Sequence, residues 1–317
     1  MVSKTVAPED SATEQTKPAP VVDSHVPALP TDSTEEPQAV SIGGMEAGSI
    51  HTTSVRSSWW MQPSITCVAR FRSVSNTEPP TVLHGLNAVN LSAVSIDSQV
   101  RSVADNSAQI ELCTSGGAMH YSSGCSWLKI PKDEQDIQWG TVCISRTTSK
   151  SAMISFPRPY NAPPKVIVWL TAADIDPASV CRVATYVTDI TSEEFTIHLD
   201  TWDDTKLTYA SAMWLAHSGD RAGVHSGTFS TTDVRPANQP RSYDSGRVAF
   251  WKAKFSAQPQ VFAAFNKLEI SKQGNVRLLL GTENVSVTGM DWHFDSRGTF
   301  ASTLLNQAGA SYFVFGP

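Results

Sequence analysis

Short apolar runs alternate with turn-forming clusters through most of this chain, and the runs have a period of two. In EFTIHLDTW (194–202), Phe195, Ile197, Leu199 and Thr201 share one face, and Thr196, His198, Asp200 and Trp202 share the other. KVIVWLTA (165–172) and GRVAFWKAKF (246–255) are further runs of strand length. No long stretch has a 3.6-residue period, so the pattern predicts an all-β protein of antiparallel sandwiches. Residues 1–40 break the pattern. They are rich in Pro, Glu, Asp, Ser and Thr and hold no aromatic residue. Such a segment buries too little apolar surface to offset its ordering entropy, which predicts a disordered tail.

The strand pattern repeats. GSIHTTSVR begins at Gly48, GTVCISR at Gly140 and GTFSTTDVR at Gly227. Each is followed by a proline before an apolar strand, in PPTVL (79–83), PPKVI (163–167) and QPQVF (258–262). LNAVNLS (86–92) corresponds to FNKLEIS (265–271). An arginine follows in each unit, at Arg101, Arg182 and Arg277, with three extra residues before Arg101. Each unit closes on an aromatic strand, CSWLKI, AMWLAH or SYFVFG. The order predicts three tandem small sandwich domains, at 45–131, 137–217 and 222–317, each of about six strands.

Composition narrows the functional classes. The 317 residues carry 40% hydrophobic side chains and a net charge of −6. With no basic cluster, nucleic-acid binding is not expected. No run of apolar residues is long enough to span or insert in a membrane. No apolar run follows MVSKTVAPED, so the expected location is the cytoplasm, or outside the cell by an unconventional route. The five cysteines are widely spaced and form no CxxC, which predicts mostly reduced thiols and leaves room for one disulfide, for example within the first repeat. No Walker loop, GxSxG or HExxH motif occurs, and the histidines lack zinc-ligand spacing. Asp200, Asp203 and Asp204 lack the glycine turn and distal glutamate of a calcium loop. The expectation is a binding protein, not an enzyme, with no metal and no cofactor.

The middle repeat carries the most specific signal. Phe156, Tyr160, Pro163-Pro164, Arg182, Phe195, Thr201-Trp202, Thr205 and Trp214 keep a spacing that resembles the H-type lectin family. That family comprises the snail agglutinins and the C-terminal domain of the discoidins. The resemblance spans nearly the whole repeat, and the outer repeats resemble divergent copies. It implies a six-stranded antiparallel β-sandwich that assembles as a homotrimer; the tandem repeats also allow one chain to fold its three units into a pseudo-trimer. It also implies binding of galactose-type glycans, often N-acetylgalactosamine, near the subunit interfaces. On this resemblance Arg182 matches a sugar-contacting arginine and Trp202 a stacking aromatic. Asp203 stands where the snail proteins have a histidine, and Thr208 where they have a tyrosine. Ser145, Arg146 and Thr147 are the nearest candidates for the aspartate that the family takes from an early loop. Arg101 and Arg277 continue the arginine into the outer repeats. There the Thr-Trp pair becomes Thr114-Ser115 and Ser296-Arg297.

The residues allow both a functional and a structural reading. An indole on the polar face offers a flat surface to the C–H face of a sugar, with Asp203 and Asp204 as acceptors and the Arg182 fork as donor. Trp202 could instead pack a strand end, and Arg182 could pair with Asp189 or Glu193. Trp214 belongs to the core or an interface. Trp251 aligns with Phe156 and is expected in the core. Trp59-Trp60 has no such partner and is expected on a loop. Two readings compete with a lectin, namely an association scaffold with a vestigial sugar site and a glycoside-acting enzyme.

Overall fold

Strands in this chain differ in whether one face or both are apolar, and that difference sets the architecture. The computed structural model describes residues 44–73, 78–145, 150–251, 255–271, 275–298, 303 and 305–317. The expected tail at 1–40 lies outside the described residues. The first third contains β1 (Glu46–His51), β2 (Ser64–Arg70), β3 (Thr81–Leu91), β4 (Ser95–Ala104), β5 (Ser107–Cys113) and β6 (His120–Ile130). The second contains β7 (Gln138–Ser145), β8 (Ser151–Ser155), β9 (Lys165–Ile175), β10 (Cys181–Thr188), β11 (Glu194–Asp200) and β12 (Leu207–His217). The last contains β13 (Val224–Ser230), β14 (Tyr243–Ala249), β15 (Gln260–Ile270), β16 (Val276–Ser286), β17 (Gly289–Asp295) and β18 (Leu305–Phe315). Short 3-10 turns at Thr52–Ser54 and Thr231–Asp233 follow β1 and β13. The fold is all-β, as the strand pattern predicts. Among the described residues no helix is long and apolar enough to cross a membrane.

No sheet is built from one third alone. Three six-stranded antiparallel sheets run β1-β6-β3-β16-β17-β14, β13-β18-β15-β10-β11-β8 and β2-β5-β4-β9-β12-β7. Each third gives its first, third and sixth strands to one sheet and its second, fourth and fifth to another. The seams are β3–β16, β9–β4 and β15–β10, so the thirds close into a ring. Those pairings occupy the strand edges through which like repeats of three chains would join. Three unlike thirds thus form the ring within one chain, and each six-stranded sheet is completed by strands of two thirds.

Two apolar clusters follow from this layout. The larger lies between the sheets and takes Phe156, Phe195 and Trp214, with ring centroids 5.2–6.1 Å apart. Trp214 is therefore core. Trp251 is not; it is 88% exposed, and Phe250 fills the core position one residue earlier. Phe250 and Phe156 make the matching backbone hydrogen bonds, to Thr288 and Glu193. The expected loop pair Trp59-Trp60 is exposed, at 82% and 72%.

The second cluster lies where the three thirds meet. Leu83, Ile167 and Phe262 come from β3, β9 and β15, and Leu128, Leu215 and Phe313 from β6, β12 and β18. These six strands bury both faces, which is why KVIVWLTA reads as a continuous apolar run and EFTIHLD as an alternating one. Register makes Gly85, Trp169 and Ala264 equivalent, opposite Ser126, Met213 and Ser311. A Cβ at Gly85 would lie 2.3 Å from the Trp169 Cδ1 and 2.6 Å from the Ala264 Cβ. One indole thus fills a space that its two counterparts leave. The Ser126 hydroxyl donates to the Ala263 carbonyl at 2.7 Å, and the Ser311 hydroxyl to the Val168 carbonyl at 2.6 Å. The third equivalent carbonyl, of His84, faces Met213 in place of a serine, and the Trp169 Nε1–H donates to it at 2.7 Å.

The segments that link the thirds are tied together. Glu134 takes two hydrogen bonds from the Arg221 guanidinium, each 2.7 Å. Arg221 holds the Glu134 carboxyl down at about 2, against a smaller upward push from burial. His217 sits beside this clasp, with Nε2 2.7 Å from the Ser226 hydroxyl and Nδ1 2.8 Å from the Ser218 carbonyl. Burial lowers His217, His84 and His120 to about 4.

Two outcomes follow for stability. Trp169→Ala empties the axis and is expected to cost about 3–5 kcal/mol in denaturant unfolding. Trp169→Phe keeps much of the volume but orphans the His84 carbonyl, for about 1–3 kcal/mol. A loss below about 1 kcal/mol for the alanine variant would show that the axis packs another way. The buried histidines set the acid response. Their folded pKa of about 4 lies below the solvated 6.5, so the unfolded chain takes up more protons. Stability is full above pH 6.5 and falls as pH drops from 6.5 toward 4, with the loss from Glu134 entering below 4.5. Unfolding midpoints measured across this range check the sign, and a flat profile from pH 7 to 5 would refute it.

Candidate functional site

The β10–β15 seam gathers chemistry from two thirds of the chain. Strand alternation on β11 buries Phe195, Ile197 and Leu199 and leaves Thr196, His198 and Asp200 half-exposed. On β10, Tyr186 stands opposite His198, with the rings stacked 4.5 Å apart, and its hydroxyl donates to Asp200 at 2.6 Å. Past the end of β11 the chain turns at Asp203, which has φ +53°. The turn leaves Trp202 half-buried at the wall of an open cleft of about 670 Å³. Asp200, Tyr186 and Thr185 line that cleft from the middle third, and Thr228, Asn266 and Lys267 from the last. The Lys267 ammonium lies 5.2 Å from the Trp202 ring centroid and donates to the Gln307 amide oxygen at 2.6 Å.

Arg182 stands behind this turn. It faces Glu269 across the seam in the strand register. Its Nη1 donates to Asp204 at 2.7 Å, and its Nε lies 3.6 Å from carboxylates of both Asp203 and Glu269. Burial lowers the guanidinium's pKa, but the Asp204 hydrogen bond and the three carboxylate charges raise it on balance. The partners are thus not Asp189 or Glu193. Arg182 pins the loop that carries Trp202 and does not line the cleft. Its Nε and the Glu269 Oε2 are buried without hydrogen-bond partners among the described residues.

The other expected site residues separate. Arg101 is not the counterpart of Arg182. Cys113, Asp200 and Asp295, each just before the Thr-Trp position, pair with Asp97, Ala184 and Leu279. Two residues earlier stand Ser95, Arg182 and Arg277. Arg101 occupies a bulge in β4 and pairs with Glu111 instead. Thr208 lines a hollow of about 560 Å³ at the β4–β9 seam, with Ser95, Ser115 and Asp174. Ser145 pairs with Tyr209 on the edge strand of that same sheet. Neither joins Trp202, because β7, β9 and β12 leave the middle third for the sheet of β4. Arg146 lies outside the described residues.

Sequence reasoning missed Asn266, Lys267, Glu269 and Thr228. The signal was present in FNKLEIS, where polar residues interrupt an apolar strand. Asn266 falls at the β15 register shift between Phe265 and Lys267 and lines the cleft.

Comparison with known proteins bears on this geometry. Residues 151–217 and 246–315 match the family model of the H-type lectin domain. The chain is also similar to the ATP synthase subunits region ORF 7 protein of Fuscovulum blasticum, with 35% identity over 63 residues. That stretch is 20% of this chain and 55% of the relative, so the chain spans about half the length of that protein. The first matched stretch holds Arg182 and Trp202, and the second holds Lys267 and Glu269 on the opposite wall. Through these two stretches the chain is similar to the H-type lectin family.

Proposed function

We propose that this protein is a non-enzymatic lectin whose β10–β15 seam binds a galactose or N-acetylgalactosamine type of glycan. The observation that carries the reading is the Trp202 cleft, where Asp200 and Trp202 of one lectin-domain stretch meet Asn266 and Lys267 of the other. A sugar presents an apolar C–H face and a rim of hydroxyls. The indole suits the first, and Asp200, Asn266, Thr228 and Lys267 suit the second. Arg182 acts on binding by fixing the Asp203–Asp204 turn, with Asp203 at the mouth of the site. Asp203 stands at the same step of its turn as Gly116, which has φ +61°.

We also propose that the ring is the working unit in solution, with the residues 45–131, 137–217 and 222–317 as its three domains. Seams on one rigid ring give multivalent contact with glycans on a surface, as in cell adhesion, without chain association. One observation favours a scaffold with a vestigial site. Three carboxylates surround Arg182, which leaves it fewer donors for a ligand.

Trp202→Ala is expected to weaken neutral-glycan binding at least about tenfold, near 1.4 kcal/mol, with the unfolding midpoint nearly unchanged. Arg182→Ala is expected to weaken it through the loop. If both variants bind an array as the wild type does, the scaffold reading prevails. Release of reducing sugar from any arrayed glycan would establish an enzyme instead. Light scattering is expected to give the mass of one chain, 34.3 kDa. Three times that mass would restore the homotrimer.

A further inference from the structure

The β3–β16 seam repeats the geometry of the Trp202 seam with its charge reversed. Arg277 holds the Arg182 position, but the residue facing it is Asn90, where Arg182 faces Glu269. The Trp202 position is Arg297 and the Asp203 position is Gly298. Two of the carboxylates around Arg182 therefore have neutral counterparts here, and a second guanidinium takes the place of the indole. Among the described residues Arg277 makes no salt bridge, and its Nε is buried without a hydrogen-bond partner. Arg182 has three carboxylates within reach.

The groups around this seam are ordered for an anion. Arg297 lies over Tyr243, with its Cζ 4.4 Å from the ring centroid. Its Nε and Nη2 donate to Asp295 at 2.9 and 2.6 Å. Burial pushes the Asp295 carboxyl up. Hydrogen bonds from Arg297, with the charges of Arg297 and Arg277, bring it down on balance. Asp295 thus takes its hydrogen bonds from Arg297 and, among the described residues, makes no hydrogen bond or salt bridge to Arg277. Across the seam, at the end of β1, burial and the Arg277 charge lower the His51 pKa. The His51 Nδ1 accepts from the Thr53 N–H. The nearby His293 stacks on Tyr243 at 5.7 Å and faces Glu283 at 3.4 Å.

We propose that the β3–β16 seam is a second glycan site that selects acidic sugars, bearing a carboxylate or a sulfate, through Arg277 and Arg297. A guanidinium offers planar paired donors that match either anion, and charge-assisted bonds of this kind are stronger than neutral ones. The inference rests on the lectin reading above and assigns this seam a different ligand class. The neutral sugar keeps the Trp202 seam.

The test uses the full chain and four probes: sialyllactose and a glucuronide for the carboxylate, 6-sulfated galactose for the sulfate, and lactose as the neutral sugar. The wild type is expected to bind at least one acidic probe, and Arg277→Gln to weaken it at least tenfold relative to lactose. Arg297→Ala is expected to do the same. Its side chain is 58% exposed, so this variant carries the test if Arg277→Gln fails to fold. Trp202→Ala is expected to show the reverse selectivity. The carboxylate and sulfate arms separate the two sources of charge. Wild type that binds lactose but no acidic probe would overturn this site and leave the Trp202 reading standing. Acidic binding without lactose binding would do the opposite. Acidic binding unchanged in the Arg277→Gln/Arg297→Ala double variant would overturn the assignment to this seam.

Discussion

Three strands that bury both faces meet at one axis, and only one of them can carry a large side chain there. Trp169 takes that place because its counterparts are Gly85 and Ala264. The indole also donates to the His84 carbonyl, where the third serine of the set is Met213. Volume and hydrogen bonding are thus satisfied once for the whole ring, in an arrangement that no exact threefold assembly can reach. Three identical chains would bring three tryptophans to one point, and well-packed interiors do not absorb such overfilling. The three thirds of this chain have become unlike each other at the position where symmetry would be most costly.

That constraint reaches the surface. Once the ring is fixed, each third shares its sheets with both neighbours, and every seam joins strands from two different thirds. A site at a seam therefore has two parents. Trp202 and Arg182 come from one, Lys267 and Glu269 from the other. Side chains that lie close in sequence, such as Arg182 and Thr208, end at different seams. A change in one third alters the two seams it helps to build and leaves the third seam untouched.

The fold class was readable because strand period and turn spacing are local properties. The landmarks of the repeats were readable for the same reason. Trp202 was placed off the apolar face by alternation alone, and Trp214 in the core by its apolar strand. Errors arose where a local count met an irregularity. The step to Arg101 counted a β4 bulge as an insertion, and Trp251 was aligned one residue away from the core position of Phe250. The opposite wall of the cleft was illegible for a different reason. Nothing in a single repeat says which other repeat will pair with it, and strand pairing between distant segments is settled by global packing. The ring itself was readable only as an alternative, because an internal repeat is compatible with one chain or with three.

The seams also explain how three related surfaces come to differ in chemistry. Backbone geometry is held in common, since the strands keep register and Asp203 and Gly116 turn the chain at the same step. Side chains at the equivalent positions are Arg182, Arg277 and Ser95, with Trp202, Arg297 and Ser115 beside them. Across the seam they face Glu269, Asn90 and Asp174. One seam is aromatic and acidic, one is doubly basic, and one is an open hollow of small and acidic residues. In a homotrimer a substitution appears at all three sites together, so the sites stay alike. In a single chain each substitution is local, and a rigid ring can hold three different surfaces without loss of packing at the axis. The unequal axis and the unequal seams thus have one physical origin, which is the covalent linkage of the three thirds.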